Sequence, residues 1–246
     1  MLKMFFSFVC LVFVLIVLGC GHPNDIVDRD IVGDLEASTA KITITAKNGK
    51  KNTCTAFAYK RRGYLYRFIT AAHCVSDDDE EWEKVKIFAD KIDIVLENKK
   101  RKTKLSYSAK LIATGYQEMG DDFAILEAEL DEHIPILPLS RNRPGRKECI
   151  LSAGAPSDYV SNFFYGYVHK VDYNKGSKFV VRMLSGEVPG GTSGSAVVSC
   201  FEGKIIAVVV ASTRKDPRQT VVIPIARFLK FEKMVMRGNY MFSSNK

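Results

Sequence analysis

Beyond about residue 40, apolar and polar residues alternate with a period of two or gather into short continuous apolar runs. Gly, Pro, Asn and Asp punctuate the runs. This pattern predicts strands over 41–47, 54–60, 64–70, 85–88, 92–96, 104–113 and 123–127. After a break it predicts 149–153, 163–173, 178–183, 195–200, 204–210 and 220–225. Many short strands with almost no helical periodicity indicate an all-β fold, either a sandwich or a pair of barrels. The one convincing helix is 226–236, where Phe228, Leu229, Phe231, Met234 and Val235 form an apolar stripe that ends before Gly238. The Pro- and Arg-rich stretch 135–147 separates the two sets of strands. The acidic block 77–81 and the basic block 99–104 read as solvated loop faces.

The first twenty residues change the picture. After Lys3, residues 4–18 carry no charge. A membrane-spanning helix needs about 20 such residues, so this run fits the apolar core of a signal peptide. It closes on Val17–Leu18–Gly19–Cys20, which resembles the lipobox of bacterial lipoproteins. That implies a signal peptide over 1–19, a lipid on Cys20 and attachment to the cell-envelope membrane. An ordinary signal peptide of a secreted protein and an uncleaved anchor are the alternatives, and all three place the rest of the chain outside the cytoplasm.

Composition adds two constraints. With 46% hydrophobic and 26% charged residues in 246, the chain has core material that disordered and fibrous classes lack. The formal charge of +8 becomes 8 − 1 = +7 without Lys3, the only charge in residues 1–19. That surplus attracts anionic surfaces in general and names none; nucleic acid is not an expected partner. Of six cysteines, Cys10 lies in the apolar run and Cys20 in the lipobox. Cys54, Cys74, Cys149 and Cys200 remain, an even number as disulfides in an oxidising compartment require. No C-x-x-C pair occurs, which argues against zinc or redox chemistry; no metal or cofactor is expected.

Three short motifs carry candidate chemistry. Thr70–Ala71–Ala72–His73–Cys74 stands at the end of one predicted strand, and Gly120–Asp121–Asp122–Phe123–Ala124–Ile125–Leu126 leads into another. Pro189–Gly190–Gly191–Thr192–Ser193–Gly194–Ser195 forms a Gly-rich turn before a third. In their order, His then Asp then Ser, they resemble the chymotrypsin-like, or trypsin-fold, serine peptidases. The resemblance implies two packed antiparallel six-stranded β-barrels with a C-terminal helix. The first barrel would span about 36–134, the second about 148–225 and the helix 226–236, within a domain over 36–246 that follows a linker over 20–35. It also implies a catalytic trio. A Ser hydroxyl is a poor nucleophile near neutral pH and needs a base within hydrogen-bond reach. Ser193 would attack, His73 would take and return the proton, and Asp122 would fix the ring's tautomer. The N–H groups of Gly191 and Ser193 would form the oxyanion hole. The register of D-x-A-x-L selects Asp122 and leaves Asp121 as a solvated neighbour. Ser195 falls in the small-residue slot after the turn. Disulfides Cys54–Cys74 and Cys149–Cys200 are implied as well.

Departures from the family pattern are informative. Thr192 stands where zymogen-type members carry the Asp that receives a freed Ile amino terminus. This chain has Ile31–Val32–Gly33 after Arg29–Asp30, but a buried ammonium there would lack a carboxylate partner. A constitutively formed site is therefore expected. Glu187, six residues before Ser193, either reads a basic side chain in the substrate or points to solvent. The facing wall is expected at 208–212 and contains no His to read an acidic side chain. The function implied is an exported, lipid-anchored serine endopeptidase acting on proteins or peptides. The alternative is a catalytically inactive binding or adhesion protein built on the same barrels.

Overall fold

A computed structural model describes residues 29–79, 84–98, 103–117, 120–155, 162–171, 179–183, 185–213 and 215–238. The expected signal peptide, Cys20, the first part of the linker, the end of the acidic block (80–81), most of the basic block (99–102) and the strand ends at 173 and 178 lie outside the described residues.

The chain enters as α1 (Arg29–Ser38) and continues into β1 (Thr39–Ala46), β2 (Lys51–Arg62) and β3 (Leu65–Thr70). A short hairpin of β4 (Ser76–Asp79) and β5 (Lys84–Ile87) precedes β6 (Ala89–Asn98), β7 (Thr103–Thr114) and β8 (Ala124–Glu129). The second set is β9 (Cys149–Gly154), β10 (Asn162–Val171), β11 (Phe179–Met183), β12 (Ala196–Ser199), β13 (Ile205–Ser212) and β14 (Gln219–Pro224), closed by α2 (Ile225–Met236). These strands form two closed six-stranded antiparallel barrels, in the orders β1-β2-β3-β8-β7-β6 and β10-β11-β14-β13-β12-β9. Of the two all-β readings, the barrel pair is the observed one.

The continuous apolar runs follow from this arrangement. In β13, Ile206, Ala207 and Val209 fill the second barrel, while Ile205, Val208 and Val210 join the larger core that reaches the first barrel. In β12, Val197 faces inward and Ala196 and Val198 face that larger core. A strand covered on both faces has no side left to be polar. By contrast β7, with one face to solvent, alternates exposed and partly buried positions along most of its length.

α2 returns the chain to the first barrel. Phe228 and Phe231 are fully buried, and the Phe228 ring lies 5.2 Å from Tyr59 and 5.5 Å from Phe123. The Tyr59 hydroxyl donates to Glu232 Oε1 at 3.1 Å. Burial, reinforced by that carboxylate, pushes Tyr59 well above the ordinary phenol range, so it stays a donor.

Two elements depart from the sequence reading. The linker expected over 20–35 is helical from Arg29 onward, so the C-terminal helix is not the only one. Leu35 and Ser38 are buried and Ile31 and Val32 half-buried, with Ile31, Leu35 and Ser38 at i, i+4 and i+7 on one face. The hydroxyls of Ser38 and Thr39 close the helix by donating to the Leu35 carbonyl at 3.1 and 2.6 Å. The strand β4 also falls where only an acidic loop is expected. It is paired to β5, with Asp77 opposite Lys86 and Asp79 opposite Lys84. Among the described residues no helix is long and apolar enough to cross a membrane.

Phe228→Ala should destabilise the protein by about 3–5 kcal/mol, because three neighbouring rings cannot close the cavity. For a chain of this size the melting temperature is expected to fall by roughly 6–20 °C, read by calorimetry.

Candidate active site

His73 sits in a single 3₁₀ turn, Ala72–Cys74, immediately after β3. Ala71 and Ala72 are fully buried, so the turn is pressed into the core and the ring is left half-buried at its edge. Asp122 enters from the segment before β8 and is nearly buried. Its Oδ1 accepts the backbone N–H of His73 at 3.0 Å, and Nδ1 of the ring lies 2.9 Å from Oδ2 and 3.2 Å from Oδ1. A carboxylate only accepts. Nδ1 therefore carries the proton, and Nε2 of the neutral ring keeps its lone pair.

Ser193 lies in a turn held by its own bonds. Thr192 Oγ1 donates to the Pro189 carbonyl at 2.8 Å, and both the N–H and the hydroxyl of Ser195 donate to the Thr192 carbonyl, at 3.0 and 2.6 Å. Ser195 is buried in this role and is thereby occupied. Gly191 and Gly194 have φ of 92° and 89°, a region closed to most residues with a Cβ. At Gly194 a Cβ would also lie 2.1 Å from the Thr55 carbonyl oxygen and 2.5 Å from Thr70 Oγ1. Among the described residues the backbone N–H groups of Gly191 and Ser193 have no acceptor, which leaves two donors available at the apex.

The residue that brings the two barrels together here is Thr55 on β2, which the motif reading overlooks. Its N–H donates to the Ser193 carbonyl at 2.8 Å, and its hydroxyl donates to the Gly191 carbonyl at 2.8 Å. The same hydroxyl accepts the Ala155 N–H at 2.8 Å, while its carbonyl accepts the Thr70 hydroxyl at 2.7 Å. Thr55 adjoins Cys54, whose disulfide to Cys74 runs beside His73, and Cys74 Sγ is 4.0 Å from the Ser193 carbonyl oxygen. His73, Asp122 and the Ser193 turn thus meet at one seam between the barrels. An isolated Thr in an apolar strand gives no motif to find. Its only sequence signal is a hydroxyl amid the buried run from Cys54 to Tyr59.

Asp121 is corrected. It is no solvated neighbour: its Oδ1 accepts Nε of Arg227, from the first turn of α2, at 2.6 Å, and its side chain is only 14% exposed. Both disulfides implied by the resemblance are formed, Cys54–Cys74 and Cys149–Cys200. Cys54, His73 and Cys74 cluster closely enough to suggest a metal site, but the two sulfurs are bonded to each other and offer no thiolate.

Around the turn, Glu187 is exposed while Val188 is buried, its N–H donating to the Pro217 carbonyl at 3.3 Å. Of the expected facing wall, Val208, Val209 and Val210 are buried, and Ala211 and Ser212 are exposed. The Gly194 N–H donates to the Val209 carbonyl at 2.8 Å, which ties this strand to the turn. Ile31 lies in α1 against the turn after β12, where a Cβ on Gly203 would come within 3.1 Å of its Cδ1.

A family model described as trypsin-like peptidase domain matches residues 54–208, more than half of the chain. No curated protein matches. Among solved structures, the serine endoprotease of Yersinia pestis aligns with a TM-score of 0.63 at 15% identity, over 84% of this chain and 65% of that one. This chain therefore spans just under two thirds of that protein's length. The active form of the Rv3671c protease of M. tuberculosis aligns with a TM-score of 0.63 at 17% identity, over 85% of each chain. At these identities the likeness is one of fold.

Thr55→Val should leave the Ala155 N–H and the Gly191 carbonyl without their side-chain partner. A loss of about 1–3 kcal/mol for each unpaired buried group is expected in urea unfolding. Thr55→Ser, which keeps the hydroxyl, should restore most of it.

Proposed function

Since the chain belongs to the trypsin-like peptidase domain family, we propose that it is a serine endopeptidase acting through an acyl-enzyme on Ser193. The observation that carries this is the His73–Asp122 pair, held by both the ring and the backbone, at the seam where Thr55 docks the Ser193 turn. With Nδ1 protonated toward Asp122, Nε2 is the ring atom available to take the Ser193 proton as Oγ attacks the substrate carbonyl carbon. The negative charge then arising on the carbonyl oxygen is met by the N–H groups of Gly191 and Ser193. Asp122 stabilises the imidazolium, which returns its proton to the leaving amine. Water attacks the resulting ester with His73 again as base, and the carboxylic acid product leaves Ser193 free.

The site is proposed to be formed without proteolytic activation. Thr192 is engaged inside the turn, and Ile31 is built into a helix rather than held as a free terminus. Export and attachment to the envelope membrane through Cys20 complete the proposal, resting on the apolar run over 4–18 and Val17–Leu18–Gly19–Cys20. The substrates are proteins or peptides. A preference for a basic residue at the cleavage point rests on Glu187 alone.

A fluorophosphonate probe should label the full chain with no prior cleavage before Ile31, and Ser193→Ala should remain unlabelled. Asp122→Asn is expected to lower turnover by roughly 10⁴-fold, since the ring loses its correct tautomer. A folded chain that never reacts with the probe would establish the inactive binding protein instead. Cleavage of a peptide library tests the preference: Glu187→Gln should abolish selection for Lys and Arg, and an unchanged profile ends that assignment.

A further inference from the structure

The turn that follows β12 presents Phe201 with 72% of its surface exposed, more than any other large apolar side chain among the described residues. A lone exposed ring is ordinary; its surroundings are not. The inter-barrel segment runs alongside this turn, with the Ser140 N–H donating to the Ile205 carbonyl at 2.8 Å and Cys149 bonded to Cys200. Together the two segments expose Arg141, Arg143, Arg146, Lys147 and Lys204. Over 139–148 and 201–204, the stretches that flank the Ser140–Ile205 bond and the disulfide, the only carboxylates are Glu148 and Glu202, which gives 5 − 2 = +3 for these two stretches. Glu202 accepts from Asn142 Nδ2 at 2.7 Å and Ser140 Oγ at 3.1 Å, and Glu148 accepts the Gly145 N–H at 2.7 Å. Both acids are thus tied into the loop backbone and its amides, while the face keeps its positive excess.

The chain enters the fold at the same place. Ile31, two residues after Arg29, is seated against Gly203 in the Phe201 turn. Only nine positions separate Cys20 from Arg29 (29 − 20 = 9), and they reach at most about 30 Å fully extended.

We propose that this face, Phe201 with the cations of the inter-barrel segment and Lys204, docks on an anionic lipid bilayer. The ring enters the interfacial layer and the cations meet lipid phosphates. The proposal rests on the anchoring at Cys20 given above, because that short tether holds the face within reach of the surface. It also fixes an orientation. Ser193 precedes β12 and Phe201 follows it, so they stand at opposite ends of the four-residue strand Ala196–Ser199, about 13 Å of chain. The seam carrying Ser193 is thereby turned away from the membrane, toward soluble substrates.

The test uses the full chain reconstituted in vesicles, in a Trp82→Phe background that removes its single Trp. Phe201→Trp reports on the face. Ala211→Trp serves as the control, because Ala211 is exposed and lies two residues beyond Val209, whose backbone pairs with Gly194 and Ser195 beside Ser193. In equimolar phosphatidylcholine and phosphatidylglycerol, brominated lipid should quench the Trp at 201 several-fold more than that at 211. The difference should disappear in pure phosphatidylcholine, in high salt, and in the triple variant Arg141→Glu, Arg146→Glu, Lys204→Glu, while the chain still floats with the vesicles. A chain that floats but shows equal quenching at 201 and 211 overturns the docking face and leaves the anchor standing. A chain that stays out of the floating fraction overturns the anchor and the tethered face together.

Discussion

One threonine on the first barrel holds the proposed nucleophile of the second. Thr55 uses its N–H, its hydroxyl twice and its carbonyl, so no polar group of this residue is left over. Three of these bonds reach residues of the second half of the chain, Gly191, Ser193 and Ala155. Closed barrels have no free sheet edges through which to pair with each other. Two such bodies can be registered only by side chains and loops, and here the registration falls at the turn that must stay fixed. Gly194 is part of the same constraint. Only a residue without a Cβ lets the turn approach the Thr55 carbonyl and the Thr70 hydroxyl so closely.

Asp122 is positioned by a second and independent device. Phe123 packs its ring against Phe228 and Phe231, while Asp121 pairs with Arg227. Successive residues 121–123 are therefore committed to α2, to His73 and to α2 again. A buried carboxylate is unfavourable unless it is hydrogen-bonded, and Asp122 obtains its donors from the backbone and ring of His73. α2, at the far end of the chain, is thus part of the scaffold of the site. Its amphipathic stripe already indicates burial against the barrels; that it ends up beside Asp122 is a consequence of chain return.

The all-β class, the two sets of strands and the three motifs are legible because they rest on local information. Strand periodicity reports which face is covered, and a Gly-rich turn reports backbone conformations that few residues adopt. Long-range partners leave no such trace. Asp121 looks solvated in a string of acids and Gly, and nothing nearby announces Arg227. Thr55 is one hydroxyl in an apolar strand, and its three partners in the second half of the chain lie at least a hundred residues away. α1 is missed for a different reason. Its ten residues include Gly33 and three acids, and the apolar stripe of Ile31 and Leu35 is too sparse to stand out from a linker.

The helix also bears on the proposal that the site forms without a freed terminus. Where a turn lacks internal bonds, an ammonium buried beneath it can supply the missing order. Here Thr192 bridges back to Pro189 and Ser195 bridges back to Thr192, so the conformation is closed by residues within the turn itself. A carboxylate at position 192 would have to find a cation in a site that is nearly buried, whereas a hydroxyl is satisfied by one neighbouring carbonyl. With that demand gone, residues 29–38 are free to form a helix and lead the chain into β1. On the proposed reading of a site formed without cleavage, Thr192 is consistent with an entering segment that is structural, and it is this segment that brings the chain's entry against the Phe201 turn.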